Sequence, residues 1–369
     1  MALQSSGNPI KFSEIANEFG YPTDNKLGNY RIDQDVGELG ELPLDTGIPQ
    51  SGTIKFSDFY SKKLNIVVNC YSGGTESGGT NARNDKWNND SLTVIGGFRG
   101  KRQSGSRIII HVDKTFTSKT DDDQQVCALR TGSFSSAVSS LEIDVSHEAR
   151  IYGAGGKGGD GATVGANAAA IEPGEPGGNG NSALGVEFNG AVVRIANGGL
   201  IKSGYGGGGG GGCANDEDED GKPDRGACGG GGGGGAGNPA GAGGYRGERI
   251  DHNEDEVKTG NHGTAGTTTT GGPGGAAVSN TGGGAFAYGG AGGRGADGEQ
   301  SAQVGGDGDT DNGTADEGSL TEGGAAGGNG AAIRRTSGIS VTISDPGNGI
   351  TGSTNATGVR GWLFNMYLI

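Results

Sequence analysis

Apolar positions follow three different rhythms along this chain. At the N-terminus the spacing is helical: Phe12, Ile15 and Phe19, then Phe56, Phe59 and Tyr60. Each set follows a Ser-Gly turn, a strand-like Ile-Lys-Phe and a Ser placed to cap a short helix, in Ser6-Gly7-Asn8-Pro9-Ile10-Lys11-Phe12-Ser13 and Ser51-Gly52-Thr53-Ile54-Lys55-Phe56-Ser57. Residues 1–63 therefore read as a duplicated module. From 64 to 150 the pattern becomes short apolar or alternating runs at 64–70, 91–95, 107–113, 125–130 and 141–145. These predict a small β domain, a sandwich or a sheet, with Cys70 and Cys127 as core residues. Between 151 and 330 apolar side chains nearly vanish. Residues 331–369 read as a C-terminal β segment ending in the apolar Gly361–Ile369.

One further repeat crosses these zones. A strand, a tight turn, an Ile and then glycine recur at 141–153, at 191–204 and more loosely at 339–350, with Ile151, Ile201 and Ile350 in matching places. These strands are expected to frame the glycine-rich stretch.

The chain carries 85 Gly in 369 residues, 63 of them within 151–330. Polar, glycine-rich chain is disordered by default. Collagen needs an unbroken three-residue period and abundant Pro, and here the period lapses and Pro numbers 10. A calcium β-roll needs tandem repeats, and the matches at Gly155–Asp160 and Gly292–Asp297 stand alone. Polyglycine II fits best. Left-handed, three-residue-per-turn threads without Cβ atoms can pack side by side, each N–H finding a carbonyl on a neighbour. The fold class expected is mainly β: a small N-terminal α+β attachment region, then a polyglycine II sandwich with flanking strands. Specificity then falls to the connections between threads.

Net charge is −15. This argues against a sequence-independent grip on nucleic acid, which needs Lys and Arg at phosphates. No apolar run of membrane-spanning length occurs, and no basic-then-apolar segment opens the chain. Neither membrane insertion nor a secretory route is expected. The sharpest local motif is Cys213 to Cys228. Asp216, Asp218, Asp220 and Asp224, with Gly221, fit the opening of a calcium loop, although position twelve is Ala227 where a bidentate Glu is expected. A solvated acidic loop is the alternative. Cys213 and Cys228 flank that loop, so a disulfide at its base competes with two reduced thiols. Asp307–Gly313 is a weaker copy, and His252 and His262 read as solvated. Gly153-x-Gly155-x-x-Gly158 resembles a nucleotide fingerprint, but no helix pattern follows it. No catalytic constellation stands out, so no enzyme is expected. Tyr205, Tyr245, Phe286 and Tyr288 lie beside glycine runs, where they either contact a receptor or seal thread ends.

Strand-turn-Ile followed by glycine blocks, with Gly180-Asn-Ser-Ala-Leu184 and Gly330-Ala-Ala-Ile333 each preceding a β segment, resembles phage tail-fibre and tail-tip proteins. The alternation of glycine blocks with polar-aromatic connections is similar to the distal receptor-recognition adhesins of T-even-type phages. The N-terminal module resembles segments of cyanophage structural proteins. The resemblance implies a virion tail protein, assembled in the host cytoplasm and released by lysis. It implies attachment to other tail or baseplate proteins through the N-terminal region, and contact with a host surface receptor, protein or polysaccharide, through displayed loops. A glycine-rich structural protein of the virion or baseplate, or of an ice-binding or matrix type, is the competing reading. An enzyme cleaving surface polysaccharide comes third.

Overall fold

The computed structural model describes residues 3–19, 26–30, 48–49, 51–62, 65–70, 75–76, 80–81, 92–94, 98–100, 106–119, 122–131, 138–164, 171–217, 223–248, 257–282, 285–310 and 319–359. The apolar C-terminus from 360 onward lies outside them. Among the described residues the regular structure is almost wholly β, with one α-helix, Phe12–Phe19, and short 3-10 turns at Leu27–Tyr30 and Phe56–Phe59.

The N-terminal duplication is visible atom by atom. The Lys11 N–H donates to Glu14 Oε2 at 2.7 Å, and the Lys55 N–H donates to Asp58 Oδ2 at 2.7 Å. Lys55 is the N-cap of its turn, so the acid three residues on does the capping and Ser57 does not. Ile15 and Phe59, at matching places, are both fully buried. Gly7 and Gly52 both adopt positive φ, at 108° and 71°, which explains the repeated Ser-Gly. The copies are tied together by Leu3 N–H to the Lys62 carbonyl and by Tyr60 Oη to the Asn8 carbonyl.

Most strands expected to close among themselves at 64–150 instead belong to a solenoid that runs to Thr357, while Leu92–Val94 pairs antiparallel with Phe98–Gly100 outside it. Three five-stranded sheets, parallel throughout, are visited in turn by successive coils. The coil Ser106–Val112, Thr115–Ser118, Cys127–Arg130 is followed by Val138–Val145, Arg150–Tyr152, Ser182–Val186, then by Ala191–Ile195, Leu200–Lys202, Ile333–Arg335, then by Val341–Ser344, Ile350–Thr351, Ala356–Thr357. Such a coil cannot bury its inner face alone, so stability comes from stacking identical positions. Ile110, Ile143, Val193 and Ile343 form one ladder. Phe116, Ile151, Ile201 and Ile350 form a second. Leu129, Leu184 and Ile333 form a third. All belong to one core that also takes in Leu3, Ile15, Ile48 and Phe59 of the N-terminal region.

The glycine-rich stretch is two insertions at the same corner of adjacent coils, between the second and third sheets. One covers 153–181 and the other 203–332. Their extended segments are 153–162, 173–181, 203–213, 229–237, 240–248, 260–267, 271–277, 290–297, 301–308 and 321–330. Hydrogen bonds repeat every third residue. The N–H groups of Gly204, Gly207 and Gly210 donate to Asn181, Gly178 and Glu175, and those of Tyr205, Gly208 and Gly211 to Ala236, Gly233 and Gly230. Those of Gly209 and Gly212 donate to Gln303 and Gly306. A three-residue repeat with bonds leaving on three edges is the polyglycine II arrangement.

The lateral order follows from the bonding. Threads 203–213 and 229–237 lie at the centre, and the other threads ring them in the order 153–162, 173–181, 321–330, 301–308, 290–297, 271–277, 260–267, 240–248 and back to 153–162. This explains the sequence. A central thread is flanked on every edge, and its pure glycine runs, Gly206–Gly212 and Gly229–Gly235, leave no Cβ to clash. A ring thread keeps one edge free and can carry a side chain at every third place, as with Lys157 and Asp160 or Ala291 and Arg294.

Both insertions start and end on the solenoid, so outgoing and returning threads alternate. The returns at the solenoid end are short turns at 238–239, 268–270 and 298–300. Asp297 closes the last of these. Its Oδ1 accepts the N–H groups of Glu299 and Gln300 at 2.9 and 2.8 Å, and its Oδ2 accepts from Arg294 and Gly271. Burial alone would raise its pKa, but these hydrogen bonds outweigh burial and hold the carboxyl at about 2, below its ordinary 3.8. The stability it contributes is present above pH 3.8 and is lost as pH falls through about 2. Asp297→Ala is expected to cost about 2 kcal/mol at pH 5. Thermal melts of the two proteins should show a gap at pH 5 that narrows towards pH 2.

Candidate functional surface

The long connections all leave the bundle at the end remote from the solenoid: 163–172, 214–228, 249–259, 278–289 and 309–320. Their described parts form a small cap. The hairpin Ala214–Glu217 with Pro223–Cys228 is flanked by Val257–Thr259 and Ser319–Leu320. A second sheet joins Val278–Gly282, Ala285–Gly289 and Asp309–Thr310. Small residues let the sheets approach: Ala214, Ala227 and Ala287 are buried together beside Val278, and Asn280 Nδ2 donates to the Gly226 carbonyl at 3.2 Å. Beneath the cap, Ala162, Val164, Cys213, Cys228 and Val257 make a second apolar cluster.

Cys213 and Cys228 are buried thiols, not a disulfide. The hairpin register would set them opposite each other, yet they are held by different neighbours. Thr321 Oγ1 donates to Cys213 Sγ at 3.3 Å, and Cys228 Sγ donates to the Glu248 carbonyl at 3.2 Å. Burial pushes the Cys213 thiol up to about 11, keeping it protonated at neutral pH.

Of the proposed calcium ligands, Asp216 and Asp224 lie on the two strands of the hairpin, with Asp216 paired to Arg225. Asp218 and Asp220 fall outside the described residues. No group of three or more His, Cys, Asp or Glu poised for a metal occurs among the described residues.

The expected receptor aromatics separate. Tyr205 is not displayed: it is 5% exposed, packed with Ala236 and Ala296 at the solenoid end of a central thread, with Lys202 Nζ 5.8 Å from its ring. It seals a thread end, because thread 203–213 leaves the solenoid just before it. Tyr245, on the outgoing thread 240–248, is 63% exposed and lies on the distal half. Tyr288 is half-buried on a cap strand, opposite Ser279. Phe286 occupies the same strand, opposite Thr281.

The model of the phage tail fibre adhesin Gp38 family matches residues 78–365. The chain belongs to that family. Among solved structures, the gp37–gp38 adhesin tip complex of the bacteriophage S16 long tail fibre is similar at 19% identity and a TM-score of 0.35, over 95% of this chain and 99% of that one. The comparison with curated protein sequences returned no match. As a tail fibre adhesin, the chain is a component of the virion tail. No helix among its described residues is long and apolar enough to cross a membrane.

Around Tyr245 the adhesin assembles residues that motif reading did not connect. Lys157 Nζ lies 5.5 Å from the Tyr245 ring centroid, and the His262 ring meets it edge-on at 5.7 Å. Asp160 fixes both sides, accepting the Tyr245 N–H at 2.8 Å and pairing with Lys157 at 3.0 Å. The Arg246 N–H donates to His262 Nδ1 at 3.1 Å. Beside them opens a cleft of about 540 Å³ lined by Arg246, Glu248, Val257, Lys258, Thr259 and Val278. The available signal was the three-residue offset of Lys157 and Asp160 inside a glycine run, which puts both on one free edge.

Proposed function

We propose that this adhesin recognises the host cell surface through the connections at the remote end of the glycine bundle, and that the solenoid and N-terminal region join it to the tail fibre. One observation carries the reading: every long, chemically unlike connection leaves the same end of the bundle, while the returns at the other end are short turns. Threads bonded on all edges resist bending, so the bundle holds those connections in fixed relation to one another. Burial of the N-terminal module against the solenoid core makes the two a single attachment body. No catalytic group is needed, because attachment is a binding step.

A fluorescent fusion at the N-terminus tests this directly. The labelled chain is expected to bind host cells saturably, and prebound chain should reduce adsorption of the parent phage. Absence of saturable binding to cells that the phage infects would overturn the reading.

A further inference from the structure

We propose that the cleft beside Tyr245 is a subsite for an acidic sugar of a surface glycan, bearing a carboxylate or a phosphate. The proposal rests on the reading that this end of the bundle faces the host. Three kinds of group line the cleft or adjoin it. Tyr245 supplies an aromatic surface, 63% exposed yet held in place by Lys157 and His262. A sugar ring offers C–H groups carrying partial positive charge, which complement the negative face of an aromatic ring. Arg246 and Lys258, both exposed, put two cations on one cleft. A guanidinium fork matches the paired oxygens of a carboxylate or phosphate, and an ammonium adds a second charge without fixed geometry. Glu248 and Thr259 line the same cleft and can bond sugar hydroxyls. Val257 and Val278 give it an apolar lining.

The chain carries −15 overall. Lys157 and Arg246 nevertheless stand on adjoining threads, with Lys258 on the cap strand that leads into the thread 260–267, and Asp160 is already engaged by Lys157 and the Tyr245 N–H. Among the described lining residues Arg246 and Lys258 outnumber Glu248, so the two cations offer an anion two contacts on a chain that is acidic overall.

The proposal is tested on the purified full chain by saturation-transfer NMR with mannose 6-phosphate and glucuronate, with mannose and inorganic phosphate as separate arms. Both acidic sugars are expected to show transfer at their ring protons at about 1 mM, the range of a single shallow site. Mannose should bind about tenfold more weakly, since it lacks the charged contact. Tyr245→Ala should abolish transfer, and Tyr245→Phe should keep it. Arg246→Ala with Lys258→Ala should weaken the acidic sugars about tenfold and leave mannose unchanged. All these positions are exposed, so the variants should melt like the parent. No transfer from either acidic sugar overturns the proposal, as does equal transfer with Tyr245→Ala. Displacement of both sugars by inorganic phosphate at equal concentration also overturns it, because it would mark a bare anion site. The wider reading is scored separately. If Tyr245→Ala phage adsorb normally while phage with 165–170, 218–222, 249–256 and 311–318 exchanged fail, the subsite falls and the adhesin reading stands; if those exchanged phage adsorb normally, recognition through these connections falls.

Discussion

Gly208→Ala is expected to destabilise the glycine bundle severely. A Cβ on Gly208 would fall far inside contact distance of the Gly293 carbonyl oxygen, and one on Gly233 would meet the Gly272 carbonyl in the same way. Both obstacles are backbone, so no side chain can rotate aside. The neighbouring thread has to move, and its bonds to other threads then stretch in turn. The margin for this is thin. A backbone hydrogen bond contributes a net of about 0.5–1.5 kcal/mol, against about 1–2 kcal/mol of conformational entropy per ordered residue. Such a lattice is stable only when nearly every N–H is satisfied. A loss of at least about 4 kcal/mol is expected, read as a fall in melting temperature of about 10 °C or as insoluble protein. Gly306→Ala is the control. Its Cβ would have Ala291 N as nearest neighbour at 3.4 Å, and its melting temperature should match the parent's. Equal tolerance of both substitutions would mean that the central threads are not where the bonding places them.

The same geometry explains what the sequence shows and what it hides. Seven-residue glycine runs announce the two central threads, because only they lack a free edge. The three-residue offsets of Lys157 and Asp160, or of Ala291 and Arg294, announce ring threads. The mainly β class with a polyglycine sandwich follows from those signals. The solenoid does not. Ile151, Ile201 and Ile350 can be seen to occupy equivalent places, but they stack only once the insertions at 153–181 and 203–332 are folded out of the way. With those insertions in line, the strands before and after them look like separate domains. Tyr205 and Tyr245 show the limit at the functional surface. Each adjoins a glycine run, and only the direction of its thread decides which end it occupies. Tyr205 opens an outgoing thread and is buried, whereas Tyr245 approaches the end of one and is exposed. The Cys213–Cys228 spacing left a disulfide and two thiols both open, and only the fold shows the sulfurs held by separate partners at Thr321 and Glu248.

Exchanging the cap turns should abolish adsorption without loosening the fold. The paired strands of the cap are packed through Ala214, Ala227 and Ala287, so deleting a whole connection would confuse recognition with stability. Replacing only 218–222 by Asn-Gly keeps both strands of the hairpin and closes them with a tight turn. The same exchange can be made at 165–170, which Val164 and Ile171 flank as an antiparallel pair, while 249–256 and 311–318, whose flanking strands do not pair with each other, are replaced at constant length by Gly and Ser. Receptor interfaces concentrate their energy in a few residues, each worth about 2 kcal/mol or more. A turn that holds one of them should therefore lower adsorption about 30-fold, and all the exchanges together should remove it. Turn 268–270 at the solenoid end is the control, exposed and polar but facing the solenoid. Changing Thr268 and Thr269 there to Ser should leave adsorption within about twofold, the scale of a surface substitution away from any special contact. Equal loss at both ends would show that the exchanges act through stability, and melting temperatures within about 2 °C of the parent exclude that route. Full adsorption with all four turns exchanged would leave those four connections without a role and would return recognition to the hairpin Val278–Gly282 with Ala285–Gly289 or to the flanks of the bundle.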